Sequence, residues 1–138
     1  MWTIIALGIA SFSAVPFEPV DAHRPTARID LAERLAARCF ELGSTSEKSV
    51  CLEREATKAE AAVEASFERF KARDAVDQDY TGYDPRPAME RAQRAWRTWT
   101  LADCDLQADL TRGSAGATVL PFCRLKHALH RREELDLL

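Results

Sequence analysis

Glycine is scarce in this chain: five in 138 residues leave little material for a Gly-rich phosphate loop or a dinucleotide-binding turn, and neither motif is present. No nucleophile elbow or other activated Ser, Thr or Cys motif occurs, so nothing in the sequence points to an enzyme. Close carboxylate pairs do exist, Asp103 with Asp105 and Glu133 with Glu134. On a helix such neighbours diverge, which makes them poor acid–base partners. An excess of positive charge is also missing. With 19 Lys and Arg against 22 Asp and Glu, the net charge of −3 excludes the basic footprint of a nucleic-acid binder. Nor does any apolar run reach the roughly 20 residues of a membrane-spanning helix, so no stable span is expected.

What is present at the start is an apolar run of fourteen residues, Trp2 to Val15, broken only by small or hydroxyl side chains. That length suits the hydrophobic region of a signal peptide. Val20-Asp21-Ala22 then places small or short residues at the −3 and −1 positions of a cut after Ala22, although no Lys or Arg precedes the run. Residues 1–22 are therefore read as a signal peptide, 23–38 as a lead-in and first helix, and 39–138 as the main helical domain. Removing the signal takes Glu18 and Asp21 away, leaving 19 positive and 20 negative side chains, a balance that names no partner. Four cysteines, Cys39, Cys51, Cys104 and Cys123, form an even set in a small exported chain. Such a set reads as two disulfides, in one of three connectivities. Export and bridging together place the domain in the periplasm or outside the cell.

The rest of the composition favours helices, because Ala, Arg, Glu and Leu abound and breakers are few. Prolines 16, 19 and 25 make an extended lead-in. The spacing of Leu31, Leu35, Cys39 and Leu42 predicts a first helix over 27–42, stopped at Gly43. A second is predicted over 47–76, without a clean capping box at Ser46 and Ser49. Its buried stripe is Leu52, Ala56, Ala59, Val63, Phe67 and Phe70, and Glu64, Glu68, Arg69 and Lys71 belong to a solvated face. Asp77 to Arg86 is a loop, and Asp84-Pro85 opens a third helix reaching about Leu110. Met89, Ala92, Trp96, Trp99, Leu106 and Leu110 form its expected core face, with Asp103 as the one polar break. The two tryptophans are read as core in preference to a sugar-stacking platform. After the turn at 112–116, a fourth helix runs from about Thr118 towards Leu137 and buries Phe122, Leu125 and Leu129. The fold class is all-α: a small, disulfide-stapled bundle of about four helices, arranged as two αα-hairpins.

Each cysteine pair nearest in sequence brackets a helix–turn–helix corner, which favours Cys39–Cys51 and Cys104–Cys123 over crossed pairings. The competing use of these residues is a zinc site. Cys123, His127 and His130 fall on one helical face at i, i+4 and i+7, and Cys104 could complete a tetrahedral set. An oxidising compartment consumes the thiols, so no metal and no other cofactor is expected.

From Ala92-Gln93 through Trp96 to Cys104 the chain resembles a bacterial family, that of the lysozyme inhibitor LprI N-terminal domain. The likeness is carried by Ala92, Gln93, Trp96, Cys104, Gly113, Cys123, Arg131 and Leu135. Cys39, Cys51, Val63 and Phe67 add a fainter match, so that it covers about 39–135. Thr100 and Leu101 stand where the family usually has an Arg-Asp pair, and Glu64 where it often has Asn. The resemblance implies an exported helical domain whose motif residues are structural. It also implies a protein partner, a lysozyme-like muramidase, blocked by surface binding. Since basic lysozymes attract acidic surfaces, Asp74, Asp77, Asp79 and Asp84 around the central loop are the first candidate contacts. The alternatives are an envelope interaction module with another protein partner and, further off, a zinc-binding helical domain.

Overall fold

The structure, a computed structural model, describes residues 26–73 and 82–138, with side chains from Leu31 onward. Four helices account for nearly all of this: α1 (Thr26–Phe40), α2 (Thr45–Ala72), α3 (Arg86–Thr111) and α4 (Gly116–Asp136). A single 3-10 turn at Gly113–Ala115 joins the last two. The all-α bundle expected from the composition is therefore what forms, and there is no strand among the described residues.

Local chemistry sets the helix ends. Ser44 caps α2: its hydroxyl accepts from the Glu47 N–H at 3.1 Å, and the Glu47 carboxylate accepts from the Ser44 N–H at 3.0 Å. This is a complete capping box, formed at Ser44 and Glu47 and not at Ser46 and Ser49, which indeed lack one. The signal was Ser44-x-x-Glu47, two residues upstream of the serine considered. These hydrogen bonds, from the Ser44 side chain first and its backbone second, hold the Glu47 carboxyl below its ordinary range. At the α3–α4 turn, Gly113 has a φ of +69°, a backbone region that side chains strain to enter.

Cross-helix hydrogen bonds fix the directions. Ser49 meets Ala117, Glu60 meets Arg124 and Ser66 meets Asp136, so α2 and α4 run side by side in the same sense. Gln93 meets Arg131 and Asp103 meets His127, so α3 runs opposite to α4. The α2–α4 interface is the most extensive, α1 lies across both helices, and α3 docks chiefly on α4. Pro121 sits inside α4 and cannot donate to the carbonyl of Ala117 four residues earlier. Ser49 Oγ supplies a donor instead, at 2.8 Å.

The core is built from Ala36, Cys39, Leu52, Ala56, Ala59, Val63, Phe67, Leu125, Ala128 and Leu135. Its alanines let the backbones come close, and each fully buried leucine contributes roughly 2–3 kcal/mol. The α2 stripe is as expected up to Phe67, with Phe70 only half-buried. On α1 the buried face is rotated: Ala32, Ala36 and Cys39 are inside, whereas Leu31 and Leu42 are exposed. The spacing of the large residues misled because this interface is filled by small ones.

Cys39 is bonded to Cys51 and Cys104 to Cys123, with Cα atoms 5.4 and 5.5 Å apart, inside the usual span of a disulfide. Each bridge closes a corner, α1–α2 in one case and α3–α4 in the other.

Candidate functional site

The α3 face departs most from expectation. Its buried residues are Gln93, Thr100 and Cys104. Trp99, Leu106 and Leu110, expected in the core, are 55%, 56% and 73% exposed. At spacings of seven and four residues they share one side of the helix. They therefore form an apolar stripe open to solvent, which the three-four rhythm of the sequence could not distinguish from a core face. Leu101 is exposed as well.

The reason lies in how α3 docks. Gln93 is 1% exposed, and its Oε1 accepts from Arg131 Nε at 2.9 Å across the α3–α4 interface. The same guanidinium donates to Glu134 at 3.0 Å, and its far nitrogen lies 3.7 Å from Met89 Sδ. A polar pair at the centre and a disulfide further along settle the rotation of α3 and turn the larger apolar side chains outward. Of the family-motif positions, Gln93 and Arg131 thus meet, Trp96 is half-buried beside them, and Leu135 is fully buried. Ala92 faces solvent.

Beside the stripe is a cleft of about 500 Å3 between α3 and α4. Trp96, Trp99 and Gln107 form one wall and His127, Leu129 and His130 the other. The His127 ring stands edge-on to the Trp99 indole at 4.9 Å between centroids. Its Nε2 lies 2.9 Å from Asp103 Oδ2, which also accepts from Gln107 Nε2 at 2.8 Å. Asp103 is thus the anchor of the cleft wall and not an isolated polar break. An Asp–His dyad can serve a nucleophile, but the sulfurs beside it, with Cys123 Sγ 3.9 Å from Asp103, are locked in a disulfide. His130 faces Glu134 at 3.3 Å and is not grouped with the cysteines. The groups that do converge are Asp103, Cys104, Cys123 and His127, a set that spacing alone mistook by choosing His130 over Asp103.

The other side of α3 is organised by charge. Arg97 pairs with Glu64 in a two-pronged contact, its Nε donating to one carboxylate oxygen and a terminal nitrogen to the other. Arg124 bridges Glu60 and Glu53 at 2.6 Å each. Hydrogen bonding to Glu60, then to Glu53, raises the pKa of Arg124 well above its ordinary value, outweighing the opposing effect of partial burial. The charged side of α2 is therefore not simply solvated, because its glutamates hold the two neighbouring helices. Glu64 and Thr100 belong to this structural side: Thr100 is buried and Glu64 is paired.

Asp84 is half-buried at the start of α3, where its carboxylate accepts from the Arg86 N–H at 3.0 Å and from Arg86 Nε at 2.8 Å. Those bonds, side chain before backbone, lower its pKa. Asp74, Asp77 and Asp79 lie outside the described residues, so the proposed acidic patch is described only at Asp84.

A family model described as Lysozyme inhibitor LprI matches residues 36–135, from the last part of α1 almost to the end of α4. The match spans all four cysteines, the stripe and the cleft. No curated protein and no solved structure matches the chain.

Proposed function

The chain belongs to the lysozyme inhibitor LprI family, and from that premise we propose that it is exported and blocks a muramidase by surface binding. The observation that carries the proposal is the apolar stripe of Trp99, Leu106 and Leu110, exposed beside an aromatic cleft. Aromatic residues, Trp above all, dominate the energetics of protein interfaces when they enter a partner's pocket. Here the stripe is carried on a helix fixed to α4 by a hydrogen bond in its first third and a disulfide in its last third. A rigid surface loses less conformational freedom on binding, so more of the contact energy appears as affinity. Inhibition needs no catalytic group in this reading: the domain acts by covering its partner.

Export rests on the sequence: the run Trp2–Val15 and the Val20-Asp21-Ala22 site act as a signal, and the bridges suit an oxidising compartment. No helix among the described residues is long and apolar enough to cross a membrane.

The test is lysis of a bacterial suspension by purified muramidase, followed as loss of turbidity, with added protein at micromolar concentration. Slowed lysis supports the reading. Undiminished lysis, together with capture of a different envelope protein, would transfer the stripe to an interaction module.

A further inference from the structure

The two sulfurs of Cys104–Cys123 do not stand alone. One carboxylate oxygen of Asp103, one ring nitrogen of His127 and both sulfurs lie within 4.8 Å of one another. Both cysteines are buried, whereas Asp103 and His127 are half-buried, and His127 also lines the cleft. Among the described residues no such group surrounds Cys39–Cys51, which shares a shallow surface hollow with Arg38, Arg54, Glu55 and Lys58. The two bridges have comparable Cα separations but differ in chemistry.

We propose that the Cys104–Cys123 corner is a latent zinc site: once the bridge is reduced, Cys104, Cys123, His127 and Asp103 bind one Zn2+. Two sulfurs, one imidazole and one carboxylate are a donor set that zinc accepts in tetrahedral geometry. The site is already half assembled, because the His127 ring nitrogen and the Asp103 carboxylate lie 2.9 Å apart and within 4.8 Å of both sulfurs. Gln107 donates to the same Asp103 oxygen at 2.8 Å and helps to orient the carboxylate.

The chemistry balances with a dithiol as the reductant. Two electrons and two protons pass from the dithiol to the bridge, giving two protein thiols and the oxidised, disulfide form of the reductant. Zinc then displaces the two thiol protons. With two thiolates and one carboxylate around a dication, the occupied centre carries a single negative charge. The α3–α4 corner would thus be fastened in both redox conditions, by a covalent bond when oxidised and by a metal when reduced. This inference does not depend on the muramidase reading.

The experiment uses the full chain, reduced with a dithiol that is then removed without air, and titrated with Zn2+ against a chromophoric chelator. Co2+ serves as the spectroscopic probe. The expected result is one zinc per chain, thiolate-to-cobalt absorption, and quenching of tryptophan fluorescence, since Trp99 abuts His127. His127→Ala and Asp103→Asn should each weaken zinc binding about tenfold or more. Cys39→Ser with Cys51→Ser should leave it in place. The two ligand variants keep all four cysteines, and circular dichroism of their oxidised forms checks that they fold. Failure of the reduced chain to take up stoichiometric zinc would overturn the proposal. So would uptake indifferent to His127 and Asp103, which would show nothing more than loose thiolate chelation.

Discussion

Arg131 donates to the buried carbonyl oxygen of Gln93 at 2.9 Å, and this bond joins the first third of α3 to α4. It explains why a glutamine occupies a core position that an aliphatic residue would fill more simply. Gln93→Ala removes both the side-chain volume and the acceptor, leaving Arg131 short of a partner in a half-buried site. A loss of about 2–3 kcal/mol is expected from the unpaired group and the cavity together. Urea unfolding measures it, with the exposed Ala92→Ser change as a neutral control.

The bridges should contribute about equally. They close loops of sequence separation 12 and 19, for which chain entropy gives roughly 3 kcal/mol each, the longer loop exceeding the shorter by about 0.4 kcal/mol. Replacing either pair by alanines should lower the urea midpoint by similar amounts. Removing both consumes much of the stability of about 5–15 kcal/mol typical of a domain.

Acid should weaken the α2–α4 contact at its far end. Asp136 accepts from Ser66 at 2.7 Å and from Arg69 at 2.8 Å, and the Ser66 bond first, then Arg69, depresses its pKa below the ordinary 3.8. A depressed carboxyl stabilises the fold fully above its unfolded pKa, and that stabilisation disappears as pH falls through the lower folded value. Asp84 and Glu47 act in the same direction. Thermal midpoints should therefore fall below about pH 4. Asp136→Asn should show a smaller drop over that acidic interval than the unaltered chain.

The α3–α4 turn gives a sharper local test. Gly113 at a φ of +69° has no room in its backbone energy for a side chain, so Gly113→Ala should cost about 1–2 kcal/mol. Ser114→Ala, in the same turn without that constraint, should be near neutral by thermal unfolding.

Much of this fold was legible in the residues. Helix number, the turn at Gly113 and the inner face of α2 follow from periodicity and breakers, because α2 lies between partners and its pattern reports burial directly. The rotation of α1 and α3 was not legible. On α1 small residues make the contact, so Leu31 and Leu42 pointed to the wrong side. On α3 the docking is decided by Gln93, Arg131 and a disulfide, none of which registers in hydrophobic spacing. Trp99 could be placed only once α4 was placed. Asp103 carried a readable hint, since Gln107 follows it by one helical turn, but its partner His127 lies 24 positions away.

In the proposed function the exposed stripe of α3 is the surface that a muramidase touches. Binding of the oxidised protein and of Trp99→Ala to a purified muramidase, measured by titration calorimetry alongside their melting curves, tests this directly. Unchanged melting is expected, because Trp99 is mostly outside the core, with a loss of affinity of about 30-fold, as for an interface residue worth about 2 kcal/mol. Equal affinities for the two proteins would contradict it.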